Sequence, residues 1–220
     1  IRGVFDVQWQ HLLNDKVALY LQTGQGLPLI GGHIVRRTPL DPAKGFLLQE
    51  TLDPYLLDAA GVDVIIQHRQ WDADPEARAA RLSEQFGPPV YADARIGVWR
   101  VLHDDAAAPS FLTVDALTGT VTGEASLYFY APGPGTAVLT LTLTSHSPRN
   151  LALTLNGQSA AAPFAEAPFS GTAPFEVPLA FEAGFHPLTL ALDPPCVPLD
   201  DPALTCAAVT VSGVALEPGQ

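Results

Sequence analysis

The fold is decided by residues 139–157, LTLTLTSHSPRNLALTLNG. On both sides of the central SHSPRN, leucine occupies every second position, mostly with threonine or alanine between. Successive side chains of a β-strand point to opposite faces, so a period of two places the leucines on one face. Asn156-Gly157 then supplies a strong signal for a tight hairpin turn. The stretch therefore predicts antiparallel strands that bury one face, as in a β-sandwich.

The alternation continues further along the chain. Leu188, Leu190 and Leu192 repeat it, and Val209 and Val211 follow. The run LALTLNG and the later GFHPL are similar to jelly-roll modules of the carbohydrate-binding type. We therefore assign residues 110–220 to an antiparallel, jelly-roll-like β-sandwich domain. Prolines are expected in its loops and edge strands, at positions 132, 134, 148, 163, 168, 174 and 178.

Residues 1–104 follow a different pattern. Asp-Pro pairs at 41–42, 53–54 and 74–75 are typical helix starts, because aspartate caps free amides and proline suits the first helical position. The apolar run 62–67 predicts a buried strand, and residues 90–102 predict a hairpin. This part is predicted to be a small α/β domain, followed by a polar linker. The whole chain is thus predicted to be of the α+β class.

Charge excludes one group of partners. The net charge of the chain is −12. Residues 1–105 hold 14 acidic and 10 basic residues, whereas residues 106–220 hold 9 acidic residues and a single base, Arg149. Such a surface repels phosphate backbones and anionic lipid, so we expect no binding to nucleic acid.

The glycine-rich stretch ALYLQTGQGLPLIGGHIVRRTP, at 18–39, holds the candidate ligand-binding residues. It lacks the third glycine of a dinucleotide fingerprint, where Leu29 stands, and it has no lysine for a P-loop. Two hypotheses stay open. The stretch is either a loop that packs the first domain, or a loop at a cleft that presents directional donors and acceptors to a ligand. The ligand-facing candidates are Gln22, Thr23, Gln25, His33 and Arg36.

The same stretch carries a resemblance. Its run LYLQT at 19–23, followed by Gly26, Pro28, Gly31-Gly32 and Arg36, resembles bacterial multi-spanning membrane proteins related to GT-C-type, polyprenyl-phosphate-dependent glycosyltransferases. In that pattern histidine usually stands where this chain has Gln25. The resemblance implies an extracytoplasmic region, tethered to the transmembrane part of a longer parent chain. The catalytic acids of such transferases lie among the membrane helices, so no catalytic residue is carried over.

The two cysteines, Cys196 and Cys206, lie close together between prolines. We expect a disulfide-closed loop, which implies an oxidising, extracytoplasmic compartment; two buried thiols are the alternative. No cysteine or histidine cluster with zinc spacing occurs, and we predict no metal or cofactor. Asp200 and Asp201 are a possible contribution to a calcium site or, alternatively, solvent-facing turn residues. Asp72-x-Asp74 imitates a metal-binding Asp-x-Asp motif, but a helix cap is the better interpretation.

Two classes of function remain. The first is a non-catalytic extracytoplasmic region of a membrane glycosyltransferase-like protein, which positions a glycan, a lipid-linked acceptor or a partner. The alternative is a free-standing carbohydrate-binding β-sandwich protein. All three tryptophans lie in the first half, and the sandwich holds only Tyr128 and Tyr130 for stacking on sugars, which favours the first class. A hydrolase is disfavoured, because no triad or paired-carboxylate signal is present.

Overall fold

The computed structural model describes residues 1–7, 29–30, 42–102, 109, 111–165, 167–193 and 209–219. The chain forms two compact units, Ile1–Pro109 and Ser110–Gln220. No helix in the described ranges is both long and apolar enough to cross a membrane. Several candidates from the sequence lie outside the described residues and stay predictions: Gln22, Thr23, Gln25, His33, Arg36, Cys196, Asp200, Asp201 and Cys206.

The first unit is an α/β structure built on a mixed sheet. Strands β1 (Val4–Val7), β2 (Leu29–Ile30) and β3 (Val64–His68) are parallel, and β4 (Tyr91–Ala92) and β5 (Ile96–Arg100) are antiparallel to their neighbours, in the order β2-β1-β3-β5-β4. The helices are α1 (Pro42–Thr51), α2 (Pro54–Ala59) and α3 (Pro75–Phe86), with a 3₁₀ turn at Arg69–Trp71. The sequence had predicted the strand β3, the hairpin β4–β5, the helices α2 and α3, and a helix start at the beginning of α1.

Aspartates start two of these helices as expected. The side chain of Asp53 accepts a hydrogen bond from the amide of Leu56 at 3.0 Å, and that of Asp74 accepts from Ala77 at 3.1 Å. These bonds satisfy amides that the first helical turn leaves free. Asp74 is therefore a helix cap, which confirms the preferred interpretation of the Asp-x-Asp motif.

The hairpin between β4 and β5 is held by Asp93. Its carboxylate accepts hydrogen bonds from the amides of Arg95 and Ile96 at 2.7 and 2.8 Å, and from the hydroxyl of Tyr91 at 2.9 Å. These bonds favour the charged form and lower the pKa of Asp93, with the amide of Ile96 as the largest cause. The turn thus satisfies its own backbone amides without help from the rest of the unit.

The second unit is an antiparallel β-sandwich. Its strands are β6 (Leu112–Ala116), β7 (Gly119–Val121), β8 (Glu124–Ala131), β9 (Gly135–Leu155), β10 (Gln158–Ser159), β11 (Phe169–Phe181), β12 (Gly184–Asp193) and β13 (Val209–Pro218). They form two curled sheets, β6-β8-β12-β9-β10 and β11-β9-β13-β7, which share β9. The leucine alternation of the sequence therefore gave the right class of fold.

Strand β9 is one continuous strand of 21 residues with partners on both sides, so the expectation of a loop or an edge strand at Pro148 was wrong. Its first part pairs with β11 and β13, and its last part pairs with β12 and β10. Pro148 lies between the two pairings, since β13 partners end at Ser145 and β12 partners begin at Asn150. A residue without an amide hydrogen costs little there, so the strand continues from one sheet into the other.

The core of the sandwich lies between the two parts of β9. It is formed by inward-facing side chains at alternate positions, which are at most 5 % exposed: Leu127, Phe129, Leu139, Leu141, Leu143, Leu151, Leu153, Val177, Leu179, Leu188, Leu190, Leu192, Val209 and Val211. Both sheets contribute to one closed core. The residues that alternate with the buried ones along each strand therefore face outward. The outward positions are the ones that are available for a ligand.

Candidate functional site

A cleft of about 490 Å³ opens at one end of the sandwich. One wall is the hairpin from Leu155 to Ala161, and the other is the end of β11, from Pro178 to Glu182. This volume is within the range of about 300–1,000 Å³ that small-molecule sites occupy. We call this feature the end cleft.

The turn at Asn156-Gly157 shapes the first wall. Both residues have positive φ, 53° and 76°, as the two central residues of a type I′ hairpin turn require. Leu155 pairs with Gln158 across the turn, and Ser159 pairs with Thr154. The chain thus doubles back at once and places Gln158 and Ser159 on the rim. The turn predicted from the Asn-Gly dipeptide is confirmed.

The end cleft has an apolar floor and a polar rim. Leu179 is buried and Leu155 and Phe181 are partly buried, whereas Gln158, Ser159 and Glu182 are exposed. Within the described part of the chain, the side chains of these three exposed residues make no hydrogen bond or ion pair. Their donors and acceptors are therefore available to a ligand, next to a surface that favours apolar contact.

A buried histidine joins the two walls. His186 is only 4 % exposed, and its Nε2 donates to the backbone carbonyl of Glu182 at 2.8 Å. A carbonyl can only accept, so in the neutral ring Nδ1 is an acceptor, and it lies 2.9 Å from the side-chain nitrogen of Asn156. The ring also packs against Phe129 and Phe181, with centroids at 4.8 and 5.8 Å. His186 thus fixes the position of Asn156 and of the backbone at Glu182.

The described lining of the end cleft holds groups that can bind a polar ligand. Glu182 is the single carboxylate among the described lining residues, whereas most glycoside hydrolases use two carboxyl groups across the bond that is cleaved. Among the described residues no base is hydrogen-bonded to the hydroxyl of Ser159, as one would be to an activated nucleophile. No group of three potential metal ligands occurs within the described ranges. What the end cleft offers is a set of unpaired amide, hydroxyl and carboxylate groups beside a hydrophobic floor.

The first unit holds a second polar cluster, at the carboxyl ends of the parallel strands β1 and β3. His68 Nε2 lies 3.1 Å from Asp6 Oδ1, and both residues are buried. Gln67 Nε2 donates to Asp72 and to the carbonyl of Pro75, each at 2.8 Å, and Arg78 pairs with Asp72 at 3.0 Å. Ligands of α/β sheets often bind at this edge. Here, however, most of the polar side chains bond one another.

The five ligand-facing candidates of the sequence analysis lie outside the described residues and stay predictions, and the described lining of the end cleft consists of other residues. Its residues carried weak signals in the sequence. Asn156 was recognised only as a turn residue and His186 only as part of the GFHPL run, and Glu182 was not singled out. A period-two register offers one usable signal: if Leu188, Leu190 and Leu192 face inward, then the neighbouring position 186 faces inward as well. A histidine at an inward position indicates a buried polar contact.

Comparison with known proteins gives no family. No family model matches the chain, and no curated protein matches it. Among solved structures, it is similar to a family two carbohydrate esterase from Clostridium thermocellum, with 13% identity, a TM-score of 0.29 and coverage of 50% of this chain and 33% of the esterase chain. It thus spans about a third of the esterase's length.

Two CBM35 structures are similar at the same level. The match to CBM35 from Cellvibrio japonicus has 14% identity and a TM-score of 0.30, and covers 50% of this chain and 98% of the other. The match to CBM35 from Paenibacillus barcinonensis has 10% identity and a TM-score of 0.28, and covers 49% of this chain and 88% of the other. Likenesses of this size carry no argument about ligands.

Proposed function

We propose that this chain is a non-catalytic glycan-binding region, and that its sandwich holds a neutral glycan in the end cleft. The supporting observation is the free polar rim around an apolar floor. Gln158, Ser159 and Glu182 offer donors and acceptors for sugar hydroxyls, and Phe181 offers a ring for the C–H face of a pyranose. Sugars need both kinds of contact, because each ring has polar edges and apolar faces.

Charge selects among glycans. The described residues that line the end cleft include one carboxylate and no cation, and the sequence from residue 106 onward holds nine acids against Arg149 alone. A uronic acid or a sugar phosphate is repelled by Glu182 and by the surrounding negative surface. A neutral sugar experiences no such repulsion, and its hydroxyls can donate hydrogen bonds to the carboxylate. The substrate class we propose is therefore a neutral oligosaccharide.

In the setting that the sequence resemblance implies, the glycan is an acceptor or a product. The chain is then an extracytoplasmic region of a membrane glycosyltransferase-like protein, and it holds the glycan near the transmembrane part of the same parent. The alternative is a free-standing carbohydrate-binding protein with the same end cleft. Hydrophobic spans in the parent reading frame would favour the first setting, and their absence would favour the second.

The binding proposal is tested by isothermal titration calorimetry of the 220-residue chain with neutral gluco-, xylo-, manno- and galacto-oligosaccharides. We expect at least one neutral series to bind. Glu182→Gln should weaken that binding about tenfold, since a hydrogen bond to a charged group contributes about 1.5 kcal/mol or more. The same substitution should bring the affinity for a glucuronic-acid-bearing oligosaccharide closer to that for the neutral one, because the repelling charge is gone.

Glu176→Gln is the matched control. Glu176 lies on β11 like the wall of the end cleft, is exposed, and does not line the cleft. The same substitution there changes the net charge equally, so it should leave the affinity for the neutral sugar unchanged. Equal losses in both variants would assign the effect to overall charge and contradict the site. No binding to any neutral series would overturn the proposed function.

A further inference from the structure

The sheet that carries the end cleft has an unusual outer face. Strand pairing aligns its outward residues in three rows across β6, β8, β12 and β9. The rows are Leu112, Tyr130 and Phe185; then Val114, Tyr128, Pro187 and Asn156; then Ala116, Ser126, Thr189 and Thr154. We call the second the middle row and the third the hydroxyl row. Two rows made mostly of rings and apolar side chains thus lie beside a row rich in hydroxyls.

The rings of this face are close to one another and partly exposed. Tyr130 and Phe185 have centroids 5.2 Å apart, with planes inclined by 54°. Tyr128 stands opposite Pro187 in the next row. All four side chains are intermediate in exposure, although they occupy outward positions of a sheet. Outward positions usually carry polar residues, so four apolar or aromatic residues in one block indicate a contact surface.

The hydroxyl row runs along one side of the block. Ser126 and Thr189 are paired across β8 and β12, with their hydroxyl oxygens 2.9 Å apart. Thr154 follows on β9, opposite Thr189. A pyranose that packs its C–H face on Tyr128 and Pro187 therefore has hydroxyl partners at its edge. None of the residues in the three rows is charged, which fits a neutral sugar and not an ion.

The spacing of the strands fits a sugar chain. The middle row crosses four strands, so Val114 and Asn156 are about 14 Å apart at the strand spacing of about 4.8 Å. That spacing is close to the length of one pyranose unit in an extended β-linked chain. One row thus offers one contact per sugar over about three sugars, without a change of strand register.

The middle row leads to the end cleft. Its last member, Asn156, lines the end cleft. The backbone amide of Asn156 donates to the carbonyl of Pro187 at 3.0 Å. Asn156 is also the residue whose side chain His186 fixes. Asn156 therefore lines the end cleft and adjoins the middle row through its backbone, and a ligand that leaves the cleft past Asn156 meets Pro187 and Tyr128 next.

We propose that the glycan continues from the end cleft over Asn156 and along the middle row, so the ligand is an extended neutral oligosaccharide of about four or more β-linked units. This inference rests on the proposed function and adds its chain length and direction. The cleft holds one end of the chain, and Pro187 and Tyr128 hold successive sugars. Ser126, Thr189 and Thr154 face the hydroxyls along one edge.

The test is calorimetry of the full chain with the dimer to the hexamer of the neutral series that binds. Affinity should rise by about tenfold or more between dimer and hexamer, as expected for one or two added ring contacts. Tyr128→Ala should reduce hexamer affinity to near that of the dimer and leave dimer affinity unchanged. Thr189→Val, which keeps a β-branched residue in the strand, should weaken only the longer chains.

Tyr91→Ala is the matched control, because Tyr91 is 52% exposed and belongs to the first unit. It should leave the length dependence unchanged. An affinity that is constant from dimer to hexamer would overturn the inference while the proposed function stands. Equal losses of affinity for dimer and hexamer in Thr189→Val would also overturn it. If Tyr128→Ala does not fold, the length dependence of Thr189→Val tests the inference alone. Failure of every length to bind would overturn both proposals.

Discussion

The two polar clusters of this protein lie at strand ends in different units, and they differ in where their hydrogen bonds go. In the first unit, Asp6 and His68 are 7% and 5% exposed and bond each other. In the second, the side chains of Gln158 and Ser159 are exposed and bond no described residue. A buried group must find its partner inside the protein, whereas an exposed unpaired group can exchange water for a ligand. The comparison shows that polarity at a strand end does not by itself identify a site.

The largest expected effect on stability follows from breaking the buried pair of Asp6 and His68. His68→Ala removes the donor of a buried carboxylate and should lower the free energy of unfolding by about 3 kcal/mol, since uncompensated buried charge is costly. Urea unfolding measures the change, and calorimetry should find glycan affinity unaltered. His146→Ala is the control, because His146 is exposed on β9. A loss below about 1 kcal/mol would mean that the pair is not structural.

An intermediate effect on stability is expected at Asn156, which lies between the buried His186 and the exposed rim of the end cleft. Asn156→Gly keeps the positive φ of the turn but removes the partner of His186 Nδ1. We expect a loss of about 1 kcal/mol in unfolding free energy, the typical value of one hydrogen bond, together with weaker glycan binding. Asn150→Ala, at an exposed position of β9, should change neither quantity. Unchanged glycan affinity in Asn156→Gly would contradict a role for this rim.

The smallest effect on stability is expected at the free rim. Gln158→Ala should change the free energy of unfolding by less than about 0.5 kcal/mol, because the side chain is exposed and unpaired. Its glycan affinity should nevertheless fall. Gln70→Ala, an exposed glutamine of the first unit, should change neither. A clear destabilisation by Gln158→Ala would show that the rim supports the sandwich, and the contrast between the two clusters would be lost.

The local sequence was a good guide to elements whose stabilising contacts are close in the chain. Asp53 and Asp74 cap helices through amides three residues ahead, and Asp93 closes its own hairpin. Asn156-Gly157 forms the turn that its dipeptide predicts. Such features need no partner from elsewhere, so their signals can be read from neighbouring residues.

Register explains what the sequence analysis missed on the sandwich. Counting aromatics gave only Tyr128 and Tyr130, which argued against sugar stacking. Pairing of β8 with β12 places Phe185 beside Tyr130 and Pro187 beside Tyr128. These partners are more than fifty residues apart in the chain, and no local pattern specifies which strands become neighbours.

By itself, the sequence determined the α+β class, the period-two sandwich, the helix caps and the acidic surface, because each depends on composition or on contacts within a few residues. The tertiary structure alone decided that β9 serves both sheets and that His186 reaches Asn156 across thirty residues. It also decided that Pro178–Glu182 faces the β9–β10 hairpin across the end cleft. These are relations between distant segments, fixed by strand pairing and by the closure of a common core.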